Sequence, residues 1–180
     1  IAKALSNCHD KGRIHCDIKS DNVCEREKVG GFDLKLIDFG QSISLEKYSS
    51  METFDDGESY FEGGAFVYMS PQVARLAFHK LQRSAGEVKG ILKNAKFTQR
   101  ADCWSLGILT YRIIVGSFPF NLSDYGGSSL NQVRDIVTAH KKDSSLWDEH
   151  PLFSSLSEDG QDFIRKLLAY EEEDRLDIHK

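Results

Sequence analysis

At the start of the chain, Ile1, Leu5 and Cys8 fall on one face at helical spacing, and Gly12 is suited to the left-handed position just past a helix end. Val23-Cys24 and Leu34-Lys35-Leu36-Ile37 are short apolar runs separated by a charged turn containing Gly30-Gly31, which predicts the two strands of a small hairpin. From Phe39 to Pro71 neither period is present. Six acidic residues there (Glu46, Glu52, Asp55, Asp56, Glu58 and Glu62) stand against one basic residue, Lys47, so a long negatively charged loop is expected. Asp102 to Val115 is apolar on nearly all sides and stops at Gly116, the pattern of a helix buried on every face. Leu130, Val133, Ile136 and Val137 form one further helical stripe. Phe163, Ile164, Leu167 and Leu168 form another, behind a candidate N-cap at Ser157. The pattern therefore predicts an α+β chain, a small hairpin followed by a mainly helical body.

Composition narrows the class. The 180 residues are 40% apolar and 28% charged, which argues for one globular domain and against disorder. A formal charge of -5 gives no global field toward nucleic acid or a membrane. The longest apolar stretch, Trp104 to Phe120, is broken by Arg112 and Pro119 and is shorter than the roughly 20 residues a bilayer span needs. Locally, Val73 to Ala101 carries seven Lys or Arg residues against Glu87 alone, and reads either as an insertion that docks an acidic partner or as a solvated helical excursion. Only Phe78 and Phe97 interleave with these cations, too few aromatics for a nucleic-acid surface. Cys8, Cys16, Cys24 and Cys103 form no Cys-x-x-Cys pair and follow no secretory leader pattern, so free thiols in a reducing compartment, cytoplasmic or nuclear, are expected.

The candidate chemistry lies in Ile14-His15-Cys16-Asp17-Ile18-Lys19-Ser20-Asp21-Asn22 and in Lys35-Leu36-Ile37-Asp38-Phe39-Gly40. Together these resemble the eukaryotic protein kinases, whose catalytic loop reads H-R-D-L-K-x-x-N and whose metal loop reads D-F-G. Tyr68-Met69-Ser70-Pro71-Gln72 is similar to the family's A-P-E segment, and Asp102-Cys103-Trp104-Ser105-Leu106-Gly107 to its D-x-W-S-L-G. Gly116-Ser117-Phe118-Pro119-Phe120 and Asp174-Arg175 follow in family order. The resemblance implies a protein-kinase-like fold in which residues 1–180 are the C-terminal lobe, 73–101 is a basic insertion, and the N-terminal lobe with its Gly-rich loop and strand lysine is not included.

Phosphoryl transfer demands positioning and charge neutralisation more than covalent help, so carboxylates, an amide and a cation are the parts to seek. By resemblance, Asp17 orients the substrate hydroxyl and Lys19 sets a positive charge beside the moving group, in the Ser/Thr-specific form of the loop. Asn22 and Asp38 hold Mg²⁺ against the phosphates of ATP, and Cys24 lies under the adenine ring as a small buried hydrophobe. His15 and Phe39 stack as packing residues, and Asp102 accepts hydrogen bonds from the catalytic-loop backbone. The implied function is transfer of the ATP γ-phosphoryl group to Ser/Thr hydroxyls of protein substrates within a longer chain, these residues alone being inactive. The alternative is a pseudokinase-like interaction scaffold without efficient transfer. A small-molecule phosphotransferase of related fold shares the His-x-Asp loop but does not account for Ser70-Pro71-Gln72 or Asp102 to Gly107.

Three positions depart from the family. Cys16 replaces the arginine that receives an activation-loop phosphate, so activity independent of loop phosphorylation is expected. Ala65 replaces a tethering threonine. Gln72 replaces the acidic partner of the late arginine, Arg175, turning an ion pair into a hydrogen bond between a charge and a neutral amide.

Overall fold

The computed structural model describes residues 1–46, 66–89, 97–120, 128–141 and 150–179. Helix α1 (Ala2–Asp10) buries Leu5, Cys8 and His9, and Gly12, at φ 66°, reverses the chain into β1 (Arg13–Ile14). After the catalytic-loop segment come β2 (Val23–Lys28) and β3 (Gly31–Leu36), an antiparallel hairpin that sets Val23 opposite Leu36 and Lys28 opposite Gly31. Strand β4 (Ile43–Ser44) then returns to pair with β1, Ile14 against Ile43.

The rest is helical. Helix α2 (Pro71–Ser84) starts at Ser70, whose Oγ accepts from the Val73 amide, with Pro71 in the first turn where its missing N–H costs nothing. Helix α3 (Arg100–Val115) ends at Gly116 in the left-handed conformation. Helices α4 (Ser129–Lys141), α5 (Pro151–Ser154) and α6 (Glu158–Leu167) follow, and Ser157 caps α6 by accepting from the Gly160 amide. The result is the expected α+β architecture, a kinase-like, mainly helical body carrying a small hairpin.

The core is organised around α3, which is buried on nearly every side as far as Tyr111; its last turn departs from the expected burial on every face, since Arg112, Ile113 and Ile114 are exposed. Leu5 of α1, Ile18 of the catalytic loop, Phe153 of α5 and Ile164, Leu167 and Leu168 at α6 all close on it. Gly107 makes the closest approach possible: a Cβ there would stand 2.8 Å from Leu168 Cδ2 and 2.9 Å from Leu167 Cβ. A second cluster joins Ile14 and Ile43 to Leu76, Phe97 and Ala101, so the β1–β4 pair is anchored to α2 and α3. A third, Phe66, Ala74, Ala77, Val133 and Ile136, packs α2 on α4.

Several expectations are corrected. The charged residues Glu25 to Lys28, read as turn, belong to β2. Beyond Val23 and Leu36, which pack against the core, the hairpin is largely solvent-exposed, and Arg26 and Lys28 pair with Asp33 across it. Phe163, assigned to the buried stripe of α6, is 39% exposed, because the side of α6 that joins the core carries Ile164, Leu167 and Leu168. The basic stretch is not a wholly solvated excursion, since its first part is α2 with Ala74, Leu76 and Ala77 in the core. Glu52, Asp55, Asp56, Glu58, Glu62 and Ala65 lie outside the described residues. All four cysteines are free thiols, and no described helix is long and apolar enough to cross a membrane.

His140 on α4 is buried between Trp104 (5.0 Å between ring centroids) and Phe120 (5.3 Å), both edge-to-face, and among the described residues neither ring nitrogen has a hydrogen-bond partner. Burial, reinforced by the charges of Arg175 and Arg75, pushes its pKa from 6.5 down to about 3. A base whose folded pKa is depressed stabilises the fold fully above its unfolded pKa and loses that stabilisation as pH falls toward the folded value. Two outcomes are expected in urea denaturation. Stability should fall between pH 6.5 and 4, and His140→Phe should flatten that slope by up to about 1.4 kcal/mol per pH unit; parallel curves for the two proteins would contradict the assignment. At neutral pH, Gly107→Ala should cost about 1–3 kcal/mol through overpacking against α6, in spite of alanine's better helix propensity.

Candidate active site

A buried carboxylate fixes the catalytic-loop segment. Asp102, in the first turn of α3 and 1% exposed, accepts from the His15 amide at 2.7 Å and from the Cys16 amide at 2.9 Å, one through each oxygen. Its Oδ2 also accepts from His9 Nε2 at 2.9 Å. Gln99 adds a further clamp by donating to the carbonyls of His9 and Arg13. Held by these bonds, Cys16 takes up φ 66°, a left-handed value uncommon for a residue with a side chain.

His15 is fully buried, and burial lowers its pKa, so the ring is neutral at pH 7. Its hydrogen bonds define the tautomer. Nε2 lies 3.2 Å from the Ile37 carbonyl and must donate, while Nδ1 accepts from the Asp17 amide at 3.3 Å. With both nitrogens committed, the ring is a structural link and not a base. It also stacks on Phe39 with centroids 4.6 Å apart, as expected.

Three of the predicted site residues come together. Asp17 Oδ2 accepts from Lys19 Nζ at 2.8 Å and from Asn22 Nδ2 at 2.8 Å, and the Asn22 amide group also donates to the Asp17 carbonyl at 2.7 Å. The short 3₁₀ turn Ser20–Asn22 makes this closure, and Asn22 is buried by it. Asp38 is brought to the same end of the hairpin by register: the Ile37 amide donates to the Asn22 carbonyl at 2.9 Å, one residue before Asp38. Asp38 is itself left-handed, at φ 61°, and its Oδ1 accepts from the Gly40 amide; a Cβ at Gly40 would stand 3.0 Å from that oxygen, a tight contact.

This donor set fits a hard divalent cation. The nitrogen of Asn22 is spent on Asp17, which leaves its amide oxygen, and Asp38 retains Oδ2. Both are oxygen donors of the kind Mg²⁺ takes. Among the described residues no group of three or more His, Cys, Asp or Glu side chains could hold a metal, so such an ion would complete its shell with phosphate oxygens and water.

Cys24 requires correction. It is exposed on β2, opposite Lys35, and no described element covers it, so it is not the buried hydrophobe the sequence suggested. Cys16, in contrast, has its thiol pK raised well above the ordinary value by burial first and by Asp102 second, and its Sγ contacts the Ile14 carbonyl at 3.8 Å. A neutral thiol so placed offers no charge to a phosphate. The Arg175 guanidinium is 2% exposed and donates to Gln72 Oε1 at 2.9 Å and to the carbonyls of Ala169, Tyr170 and Arg100. The hydrogen bond expected between the charged Arg175 and the neutral Gln72 amide is therefore present. The part of His9 in the Asp102 grip had no sequence signal, since a histidine in the last turn of a helix reads as an ordinary helix end.

Asp102→Asn retains the shape but offers an NH₂ where one of the three donors points. It should lower stability by about 2–4 kcal/mol in chemical denaturation and speed hydrogen exchange at the His15 and Cys16 amides. A loss below about 0.5 kcal/mol, within the range of ordinary surface changes, would show that the grip contributes little.

The chain is similar to known protein kinases. Aurora kinase of Saccharomyces cerevisiae is 29% identical over 178 residues, covering 98% of this chain and 36% of its own length. CDPK-related kinase 8 of Arabidopsis thaliana is 30% identical over 168 residues, 93% of this chain and 22% of its own. Among solved structures, the twitchin kinase region from C. elegans superposes with a TM-score of 0.63 at 29% identity, covering 99% of this chain and 25% of that one. The chain thus spans little more than a third, or less, of the length of these relatives. The family model described as the protein kinase domain matches residues 1–180, and with the Asp102 grip, the Asp17–Asn22 closure and the hairpin-borne Asp38 all in place, the chain belongs to the protein kinase domain family.

Proposed function

We propose that these 180 residues by themselves form a kinase-like interaction scaffold without efficient phosphoryl transfer, and that within a longer chain the same residues serve transfer of the ATP γ-phosphoryl group to Ser/Thr hydroxyls of protein substrates. The observation that carries the catalytic part is the closed Lys19–Asp17–Asn22 set. Asp17 Oδ2 is taken up by two donors, which leaves Oδ1 as the acceptor for an incoming hydroxyl. Orientation of that proton is worth roughly 10² to 10⁴ in rate. Lys19 stays at 2.8 Å from Asp17 and adds positive charge beside the transferring group, while Asn22 and Asp38 offer oxygens to Mg²⁺, which when bound neutralises phosphate charge.

The scaffold part rests on the hairpin. Asp38 and Cys24 are exposed, and Phe32 and Leu34 of β3 are 59% and 47% exposed, so no described residue forms a wall opposite the one they would offer a nucleotide. Kinase transfer needs a phosphate-covering loop and a lysine–glutamate pair beyond the residues assigned here. The acidic partner proposed for the basic stretch and a cytoplasmic or nuclear setting are parts of the same reading.

Isothermal titration should show no MgATP binding by the 180 residues at ordinary micromolar affinity, and micromolar binding would overturn the scaffold reading. In a longer chain with measurable kinase activity, Asp17→Asn should reduce kcat by at least about 10²-fold with little change in ATP KM. Full turnover in that variant would overturn the catalytic reading.

A further inference from the structure

Beside the metal-loop turn stands an arginine that the catalytic arrangement does not use. Arg13, exposed on β1, directs Nη2 to Ser42 Oγ at 2.8 Å and Nε to the same oxygen at 3.3 Å. A third, longer contact joins Nη2 to the Ser42 carbonyl at 3.5 Å. Among the described residues Arg13 pairs with no carboxylate. A fork of N–H donors thus converges on one neutral, partly exposed hydroxyl, with no carboxylate among the described residues paired to its positive charge. Ser42 is also well placed mechanically: its amide donates to the Phe39 carbonyl at 3.0 Å, closing the turn that follows Asp38, and the next residue enters β4 opposite Ile14. Leu45 continues the connection by donating to the Gly12 carbonyl.

We propose that Ser42 is a phosphorylation site whose phosphate is held by Arg13. In the modification, Ser42 Oγ attacks the γ-phosphorus of ATP bound to a protein kinase acting in trans. The new Oγ–P bond replaces the bond to ADP, which leaves, and the hydroxyl proton passes through a carboxylate of that kinase to water. The product adds between one and two negative charges and three acceptor oxygens where two N–H groups already point. The bidentate bond then staples the residue after the metal-loop turn to the residue before the catalytic loop. Arg13, three residues before Cys16 in the chain, provides the guanidinium that Cys16 lacks, for a phosphate near the start of the loop.

This inference goes beyond the proposed function and its test needs no kinase activity from the chain itself. Phosphopeptide mapping of the full chain from its own cells should find phosphate on Ser42, and Ser42 unmodified across growth and stress conditions would overturn the proposal. Phosphoserine installed at position 42 by genetic encoding should show, by ³¹P NMR titration, a second pKa about 0.5 or more below that of the same phosphoprotein carrying Arg13→Gln. It should raise Tm by about 2–4 °C in the Arg13 protein and not in the Arg13→Gln protein. Equal pKa values in the two proteins, or a Tm lowered by the phosphate, would show that Arg13 does not hold it.

Discussion

The structure depends on one buried carboxylate. Asp102 sits at the start of the most deeply buried helix, and its oxygens accept two consecutive backbone amides from a segment more than eighty residues earlier in the chain. Neither end of the interaction can move cheaply. The helix is fixed by Ile108, Leu109 and Tyr111 in the core, and the amides would be left without acceptors in a dry environment if the carboxylate were displaced. The left-handed backbone at Cys16 persists because these bonds over-determine it. The residue immediately after Cys16 is Asp17, so the direction in which Asp17 leaves the segment is set from the core outward.

His15 carries that order to the metal loop. A neutral imidazole has one donor and one acceptor, and here each is used once, the acceptor on Asp17 and the donor on Ile37. A protonated ring would set a second donor against the Asp17 amide, so the low pKa that burial imposes is also the condition for holding both loops together. Asn22 provides the second tie: its side chain closes on Asp17 while its carbonyl accepts from Ile37. Two separate bonds to Ile37, from opposite sides of the site, leave Asp38 little freedom in where it begins.

Legibility in the sequence followed how local the cause was. Helices α1, α3, α4 and α6 could be read because their apolar faces repeat over several turns, and Ser157 and Gly116 because capping is a contact within a few residues. The segment from His15 to Asn22 stood out by motif, and the structure brings its Asp17, Lys19 and Asn22 together. The β1–β4 pair was not, since two residues per strand show no period and the pairing joins positions thirty apart. Helix α2 was masked by its lysines and arginines, although Ser70-Pro71 is a good helix start. The exposure of Cys24 and Phe163 depends on what packs beside them, which no local pattern records. The roles of His9 and of Arg13 toward Ser42 are in the same class, being set by neighbours that only the fold supplies.

The departures at Cys16 and Gln72 have a common physical sense. Each removes a formal charge from the surroundings of a buried site and replaces it with a neutral group of shorter electrostatic reach. At Arg175 the loss is met by carbonyls: Ala169, Tyr170, Arg100 and the Gln72 amide surround the guanidinium, and Trp104 lies 5.1 Å from it. Burial brings its pKa down to about 10 against the opposing charges of Glu172 and Glu171, so at neutral pH it remains charged and the dipoles solvate it alongside those carboxylates. Such a cage is directional and uses the termini of α2, α3 and α6 together, whereas a carboxylate partner would attract strongly even when displaced. The junction of these helices therefore holds its arginine by directed hydrogen bonds as well as by charge, with Trp104 in contact with both the guanidinium and the His140 ring.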